Sequence, residues 1–402
     1  MYALTTPTAR QPRRRGDPSA RSRVPTARVR AIQTRLLDWY DRNKRDLPWR
    51  RRAGDPYAQW VAEVMLQQTR VDTVMAYYDR FLRRFPTVTA LASANDEAVL
   101  KAWEGLGYYR RVWHLHRAAR SVHENGGAMP PDAEGLRTLP GVGDYTAAAV
   151  ASIAYGEAAA AVDGNVARVI ARLFGIEADV LATAGKAIIG GVAARLLPAD
   201  RPGDFNQAWM DLGSALCTPR TPRCGECPFK ALCVARRTDR AEALPIRGAG
   251  RNGRVASLTL LAGVFVDGDR VLMRRRSTGG LWSGLWETPN VEVGTDDDVH
   301  GLLRALAREG AARLNGSPRC AGVVHHRLTH RALTFQVYVV AAKANGELSR
   351  PPEPYRWASA AAMRRLSIST AHRRVLDAAG AAADTIRLRQ VASRLVSGAR
   401  EA

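Results

Sequence analysis

An all-α domain followed by an α+β domain is the fold class this sequence predicts, and three observations carry it. Apolar residues recur at helical spacing from about residue 28 to residue 235, where strand signals are nearly absent. Residues 236–256 are rich in Arg and Gly and have no period, which reads as a linker. Beyond it, 257–266 and 333–341 are β-branched and aromatic runs with a helical stretch, 299–314, between them. The expected division is a basic arm over 1–26, a helical domain over 27–235, the linker, a second domain over 257–385 and a tail over 386–402.

The arm holds many Arg and a single acid, Asp17. A transit peptide is also Arg-rich, but Pro7, Pro12, Pro18 and Pro25 break the amphipathic helix it needs, so a disordered arm is expected. The first helix follows from Val29, Ile32, Leu36, Trp39 and Tyr40. Leu47-Pro48-Trp49-Arg50 is a loop, and Asp55-Pro56 opens a helix with Tyr57, Trp60, Val61, Val64 and Met65 on its apolar stripe. Further helices are expected over about 71–84, 95–104, 109–125, 144–155, 165–174 and 204–215. The tail, with Ile386, Leu388, Val391, Leu395 and Val396, suits a short surface helix.

The 402 residues suit two or three domains, and 46% hydrophobic residues suffice for their cores. Sixty Lys and Arg against 38 Asp and Glu leave a net charge of +22, which points to a polyanionic partner, nucleic acid first. No apolar run reaches the ~18 residues of a spanning helix, which excludes an integral membrane protein. Five cysteines exclude a disulfide scaffold.

Four of them, Cys217, Cys224, Cys227 and Cys233, fall in 17 residues as C-x6-C-x2-C-x5-C, which reads as metal ligation in a reducing compartment. A structural zinc site usually shows two close pairs, whereas this loop has one. Four thiolates in one loop also suit a [4Fe–4S] cluster. Arg220, Arg223 and Lys230 in the same loop are placed to meet phosphates. Cys320 stands alone and reads as a core residue.

Leu139-Pro140-Gly141-Val142-Gly143 joins two helical stretches. Gly141 and Gly143 let the backbone approach a ligand, and the amides at the next helix start can bind a phosphate; alone, the segment reads equally as an ordinary αα-turn. In a basic chain, between two helical stretches, it resembles the helix-hairpin-helix motif of DNA repair enzymes, which implies a grip on a DNA backbone without reading sequence. Asp163, in Val162-Asp163-Gly164-Asn165, precedes a helical run. It reads as an N-cap, and a helix N-terminus also favours an anion able to stabilise a developing cation. Glu63 lies beside Gln67 on a flank of its helix's apolar stripe. A Glu on such an edge is either a solvated face or, if desolvated, an acid with a raised pKa. One ionised and one protonated acid are what cleavage of an N-glycosidic bond requires.

Together these segments resemble the adenine DNA glycosylases of the MutY type, in the endonuclease III helix-hairpin-helix superfamily. The resemblance covers 27–235 and rests on six motifs in family order: 47–50, 60–69, Gly105-Leu106-Gly107-Tyr108-Tyr109, the 139–147 hairpin, 163–166 and the cysteine loop. It implies a base-excision enzyme that removes adenine mispaired with 8-oxoguanine or guanine, and it implies the [4Fe–4S] cluster. By resemblance Glu63 protonates the flipped adenine at N7, and Asp163 stabilises the sugar. Tyr145 and Asn165 support that centre, and Arg45 and Arg50 help hold the base. Gln68, Thr69, Leu106 and Tyr108 fill or flank the opened stack. Bifunctional relatives carry a Lys where this chain has Tyr145, which implies a monofunctional enzyme. A monomer acting on duplex DNA in the bacterial cytoplasm, at the nucleoid, is the expected setting.

The second domain resembles a Nudix fold, entered at Leu281-Trp282-Ser283-Gly284-Leu285-Trp286-Glu287-Thr288-Pro289. The carboxylate set of a working Nudix box is missing from 303–310, so lesion binding is expected in place of pyrophosphate hydrolysis. Where the family has a Phe-Ser-His loop against 8-oxoguanine, this chain has Leu328-Thr329-His330, so Thr329 and His330 are the expected contacts. Three other readings are weaker. A thymine-specific relative disagrees with Gln67-Gln68-Thr69, a pyrophosphohydrolase with the missing carboxylates, and a non-catalytic DNA-binding protein with the presence of Glu63 and Asp163.

Overall fold

The computed structural model describes residues 25–248, 255–344 and 351–382. Most of the expected arm and all of the expected tail lie outside them. The first domain is helical: α1 (Thr26–Asn43), α2 (Pro56–Leu66), α3 (Val71–Arg84), α4 (Val88–Ala92), α5 (Asp96–Trp103), α6 (Arg110–Glu124), α7 (Ala133–Arg137), α8 (Asp144–Ala154), α9 (Gly164–Phe174), α10 (Thr183–Leu196), α11 (Pro202–Ala215) and α12 (Val234–Arg237). The helices expected within this domain are all present. The short α4 and α7, each capped by a side chain, and the Ala- and Gly-rich α10 carry too weak an apolar period to be predicted.

This domain has two lobes. One core gathers α2 to α8 around Trp60, Tyr78, Phe81 and Trp103. The other gathers α1, α9, α10 and α11 with the cysteine loop around Ile170, Phe205, Trp209 and Phe229. A small seam of Ala148, Ala149 and Ala161, with Tyr145 and Met210 against it, joins them. The N-terminal helix therefore crosses to the C-terminal lobe, and the seam is where residues of both can meet.

The linker is shorter than 236–256. Arg236 and Arg237 end α12, Leu244 is buried, and the carbonyls of Leu244 and Ile246 accept from Arg172 Nε and Val180 N. Its Arg and Gly content conceals these few anchors.

The second domain is one mixed sheet with helices on both faces. Its strands are β1 (Ala256–Asp267), β2 (Arg270–Arg275), β3 (Trp286–Glu287), β4 (Asn290–Glu292), β5 (Ala312–Leu314), β6 (Arg319–Arg327), β7 (Arg331–Ala344) and β8 (Tyr355–Ser359). The central pair, β1 and β7, runs parallel from Ala256↔Arg331 to Val266↔Ala341, and the other pairings are antiparallel. β1 alternates, sending Leu261 and Phe265 to one face and Ala262, Val264 and Val266 to the other. Helix α13 (Val299–Glu309) covers the first face and α15 (Thr370–Ala381) the second, with the one-turn α14 (Ala360–Met363) before it. The helix expected over 299–314 ends at Glu309, because 312–314 pairs with β7. Cys320, expected in the core, is exposed on β6, an outer strand whose residues alternate in burial.

The domains are joined by more than the chain. Leu285 of the second domain is buried in the core of the first lobe. Trp113 Nε1 donates to Ser283 O at 2.9 Å, and a Cβ on Gly284 would meet the Trp113 ring at 2.5 Å.

Candidate active site and DNA cleft

Glu63 is placed by a helix that is buried on every side. Asp55 caps α2 by accepting from Ala58 N, Pro56 takes the first position, and each residue from Tyr57 to Met65 is buried. The carboxyl of Glu63 is thus drawn into the seam, with 5% of the residue exposed. Burial, reinforced by the charge of Asp163, pushes its pKa up to about 7 against the lowering effect of a hydrogen bond from Tyr145. That bond runs from Tyr145 Oη to Glu63 Oε2 at 2.8 Å, and the same hydroxyl touches Met210 Sδ at 3.4 Å.

Tyr145 reaches this point because the glycine hairpin delivers it. Gly141 has φ +80°, and a Cβ there would meet His114 at 2.4 Å, so the turn lies flat on α6. Gly143 caps α8, and Tyr145 is its second residue. Burial and the two nearby carboxylates push the phenol well above its ordinary value, so it stays a donor.

Asp163 caps α9, and its charge bears on Glu63. Its Oδ1 accepts from Val166 N at 2.7 Å and its Oδ2 from Asn165 Nδ2 at 2.8 Å. Asn165 is fixed in turn: a Cβ on Gly213 would meet its own Cβ at 2.7 Å, and its Oδ1 accepts from Arg168 Nη2 at 2.8 Å. Arg168 also donates to the carbonyl of Cys217 at 2.8 Å, so α9 links the carboxylate to the cysteine loop.

The four cysteine thiols line one small cavity beside Arg172. Arg172 Nη1 lies 3.3 Å from Cys217 Sγ, and its other donors hold the carbonyls of Thr218 and Pro219. Among the described residues no three His, Cys, Asp or Glu side chains come close enough to share a single ion. A zinc ion needs its sulfurs about 2.3 Å from one point, whereas in an iron–sulfur cube each thiolate holds its own iron. Four cysteines around one cavity supply one thiolate for each iron of the cube. Burial, with the neighbouring sulfurs, pushes Cys227 up to about 12, so thiolates gather here only around a cationic centre. Arg220, Arg223 and Lys230 are exposed around this loop, although Arg223 is engaged by Glu226 at 3.2 Å and by Ala215 O.

A cleft of about 950 Å³ opens between the domains. Trp60 and Val64, which flank Glu63 on α2, and Gln67, just after the helix, form one wall, and Thr329 and His330 form part of the other. Its lining includes Arg110 from α6 and Arg327 and Arg331 from the second domain, and no carboxylate, which suits a phosphate backbone. Tyr108 stands into it, 47% exposed and with φ +47°. Thr329 and His330 are the two tip residues of the β6–β7 hairpin, closed by Leu328 N to Arg331 O at 2.8 Å. Tyr108 Oη and Thr329 Oγ1 meet at 2.8 Å, and Leu328 packs on the second core.

Some expected roles shift. Leu106 does not face an opened stack; it is a core residue of the first lobe, held by its carbonyl. Thr69 spends its hydroxyl on Arg111, and Gln68 has φ +58°. Arg45 and Arg50 grip the buried Asp211, each at 2.8 Å, one residue beyond the Met210 whose sulfur touches the Tyr145 hydroxyl. Glu309, on the stretch where a Nudix box would lie, accepts the Tyr355 hydroxyl at 2.7 Å.

Sequence reasoning missed Arg111 and Asp211. Arg111 is buried, and its guanidinium holds the carbonyls of Val64, Met65, Gln67, Leu106 and Gly107 and the Thr69 hydroxyl. It thereby fixes both loops that bear the exposed cleft residues. The signal was present: Arg111 stands in line with Leu115, Ala118 and Val122 on the buried stripe of α6.

The helical domain and its cysteine loop are those of a helix-hairpin-helix DNA glycosylase. Residues 61–187 match the HhH-GPD superfamily of base excision DNA repair proteins, 217–233 the iron-sulfur binding domain of endonuclease III, and 261–378 the NUDIX domain. The adenine DNA glycosylase of Homo sapiens is 38% identical over 403 residues, covering 87% of this chain and 74% of that protein. The one from Mycobacterium tuberculosis is 45% identical over 197 residues, covering 49% of this chain and 65% of that protein. A solved thermostable thymine-DNA glycosylase covers 53% of this chain and 98% of its own at 30% identity and TM-score 0.49. The chain belongs to the adenine DNA glycosylase family. It carries the [4Fe–4S] cluster on Cys217, Cys224, Cys227 and Cys233, and when bound the cluster ties the 217–233 loop into one piece. Among the described residues no helix is long and apolar enough to cross a membrane.

Proposed function

We propose that this glycosylase removes adenine paired with 8-oxoguanine, and with guanine, by hydrolysing the bond between adenine and C1′. The observation that carries the reading is the Tyr145–Glu63 hydrogen bond beside Asp163, with Glu63 poised to be half protonated near neutral pH. Glu63 does not line the cleft, so a base has to leave the stack and pass the wall of Trp60, Val64 and Gln67 to meet it. Protonated Glu63 then gives its proton to the adenine ring, and the C1′–N9 bond breaks with its electron pair leaving on the base. Asp163 stabilises the positive charge at C1′. Water adds to C1′ and passes its extra proton to a carboxylate. Asn165 positions Asp163, and Tyr145 holds Glu63 without an amine that could form a Schiff base.

On the other side of the cleft Thr329 and His330 read the opposite base. The O8 oxygen and the N7 hydrogen of 8-oxoguanine are groups that guanine lacks and that a hydroxyl and an imidazole can meet. Gln68 and Tyr108 occupy the space the adenine leaves. The exposed basic residues of the cysteine loop and the amides after Gly141 hold backbone phosphates. The chain acts as a monomer. Single-turnover cleavage of labelled duplexes bearing A:8-oxoG, A:G and T:G, developed with alkali, tests the reading. Excision of adenine fastest opposite 8-oxoguanine is expected. Preferential cleavage at T:G sinks it.

A further inference from the structure

We propose that Glu104 is a positioning residue through which the second domain holds the Tyr108 loop in the shape that opens the duplex. The proposal rests on the reading of Tyr108 as the residue that enters the stack. The loop needs holding, because Gly105, Gly107 and Tyr108 have φ of +99°, +70° and +47°. For the tyrosine that region is strained, and it persists only when neighbours over-determine it. From within, Arg111 and Trp103 Nε1 take the Gly107 carbonyl. From outside, the second domain touches the loop at its two ends. At one end Thr329 meets the Tyr108 hydroxyl. At the other end stands Glu104, the cap residue of α5.

The Glu104 carboxylate is largely buried at the domain junction. Its Oε2 takes Lys101 Nζ of its own helix at 2.5 Å. Its Oε1 takes Ile368 N at 3.1 Å, Arg373 Nε at 3.0 Å and Arg373 Nη2. These donors stand in the segment that leads into α15 and on its first turns. α15 packs against β6, the strand that ends in the Thr329 tip. The partners of Glu104 and Thr329 itself therefore belong to one rigid unit of the second domain, and the loop from Glu104 to Tyr108 is held against it at both ends. Pulling the carboxylate away frees one end of that span. Leu285, the Trp113–Ser283 bond and the Lys101–Leu366 bond still hold the domains together, so the effect falls on the loop and not on assembly.

The test uses the full chain as Glu104→Gln and Arg373→Ala, which break the same contact from its two sides, and the double variant. A duplex with 2-aminopurine opposite 8-oxoguanine reports unstacking by its fluorescence before excision, and A:8-oxoG reports excision at saturating protein. Each single variant is expected to lose about threefold or more of the unstacking amplitude and about tenfold of the excision rate. The duplex dissociation constant should stay within about threefold, and the double variant should be no worse than either single one. Wild-type unstacking and rate in Arg373→Ala overturn the proposal. So do additive losses, or a loss confined to binding. Should Glu104→Gln fail to fold, Arg373→Ala alone decides between the same outcomes. Wild-type protein that unstacks 2-aminopurine yet leaves A:8-oxoG intact contradicts the proposed substrate, while the variants' unstacking still decides the role of Glu104.

Discussion

Tyr145 on the first turn of α8 donates its hydroxyl to Glu63 on the last turns of α2, 2.8 Å away, and so couples the glycine hairpin to the acid. The bond favours ionised Glu63 while burial favours the protonated form, and burial is the larger effect. In the proposed mechanism the proton that Glu63 gives to the base is present below about pH 7 and is lost as pH rises through it. Tyr145→Phe removes the only lowering influence, so the alkaline limb of the single-turnover pH profile should move upward. A limb that stays in place, or moves down, contradicts this assignment of the acid.

Glu63→Gln should abolish excision and also change stability in a pH-dependent way. A group whose pKa is raised on folding lends stability below its unfolded value, and that stability is lost as pH rises through the folded one. Here the window runs from 4.5 to about 7. The glutamine variant should therefore gain on wild type across this window by up to roughly 3 kcal/mol. Thermal melts at about pH 5 and about pH 8 measure it. A stability difference that does not change with pH shows that Glu63 is not buried as a charge-sensitive acid.

Asp163→Asn separates chemistry from capping. Asparagine caps a helix about as well as aspartate, so the melting temperature should hardly change. The excision rate should fall by about a hundredfold or more, because the developing cation at C1′ loses its counter-charge. A variant that melts early and cuts normally marks Asp163 as a cap and nothing else.

Thr329→Ala together with His330→Ala should weaken preference for A:8-oxoG over A:G by about threefold to tenfold per lost hydrogen bond. The excision rate on bound A:G should be unchanged. Dissociation constants and single-turnover rates on both duplexes decide it, and an intact preference removes these residues from lesion reading.

Glu287→Gln should destabilise the second domain at neutral pH. Glu287 is 1% exposed, yet its carboxyl stays at about 2 because His372, Arg276 and Arg274 outweigh its burial. Breaking such a buried cluster costs about 3–5 kcal/mol. The contribution exists above 4.5 and fades as pH falls toward about 2, so the melting temperatures of wild type and variant should converge in strong acid. Equal melting temperatures at neutral pH contradict it.

What the sequence showed plainly was local chemistry with fixed spacing: the four cysteines, the glycine hairpin, the Asp163 cap and the change of period at the second domain. Glu63 was half legible. Its neighbours Trp60, Val61, Val64 and Met65 announced a buried stripe, but only packing on the remaining sides turns a flank position into a buried one. Arg111 and Asp211 stayed hidden because charged residues usually read as surface, and their partners are carbonyls and side chains far along the chain. Leu106 erred the other way: its motif drew it toward the DNA, while its side chain completes the first core. Cys320 shows the same limit, since a cysteine's tendency to be buried yields to the alternation of an outer strand.

The Leu285 side chain seated in the first lobe has a consequence for synthesis. The first lobe leaves the ribosome first, ending with α8 at Ala154, and the residue that fills its socket follows more than a hundred residues later. At about 5–20 residues per second the nascent lobe stands with an open apolar hole for roughly 7–26 s. Apolar surface exposed in this way is aggregation-prone until it is filled. The lobe's mechanical stability on the ribosome should rise in a step once 285 has emerged, well before the second sheet can close around β7.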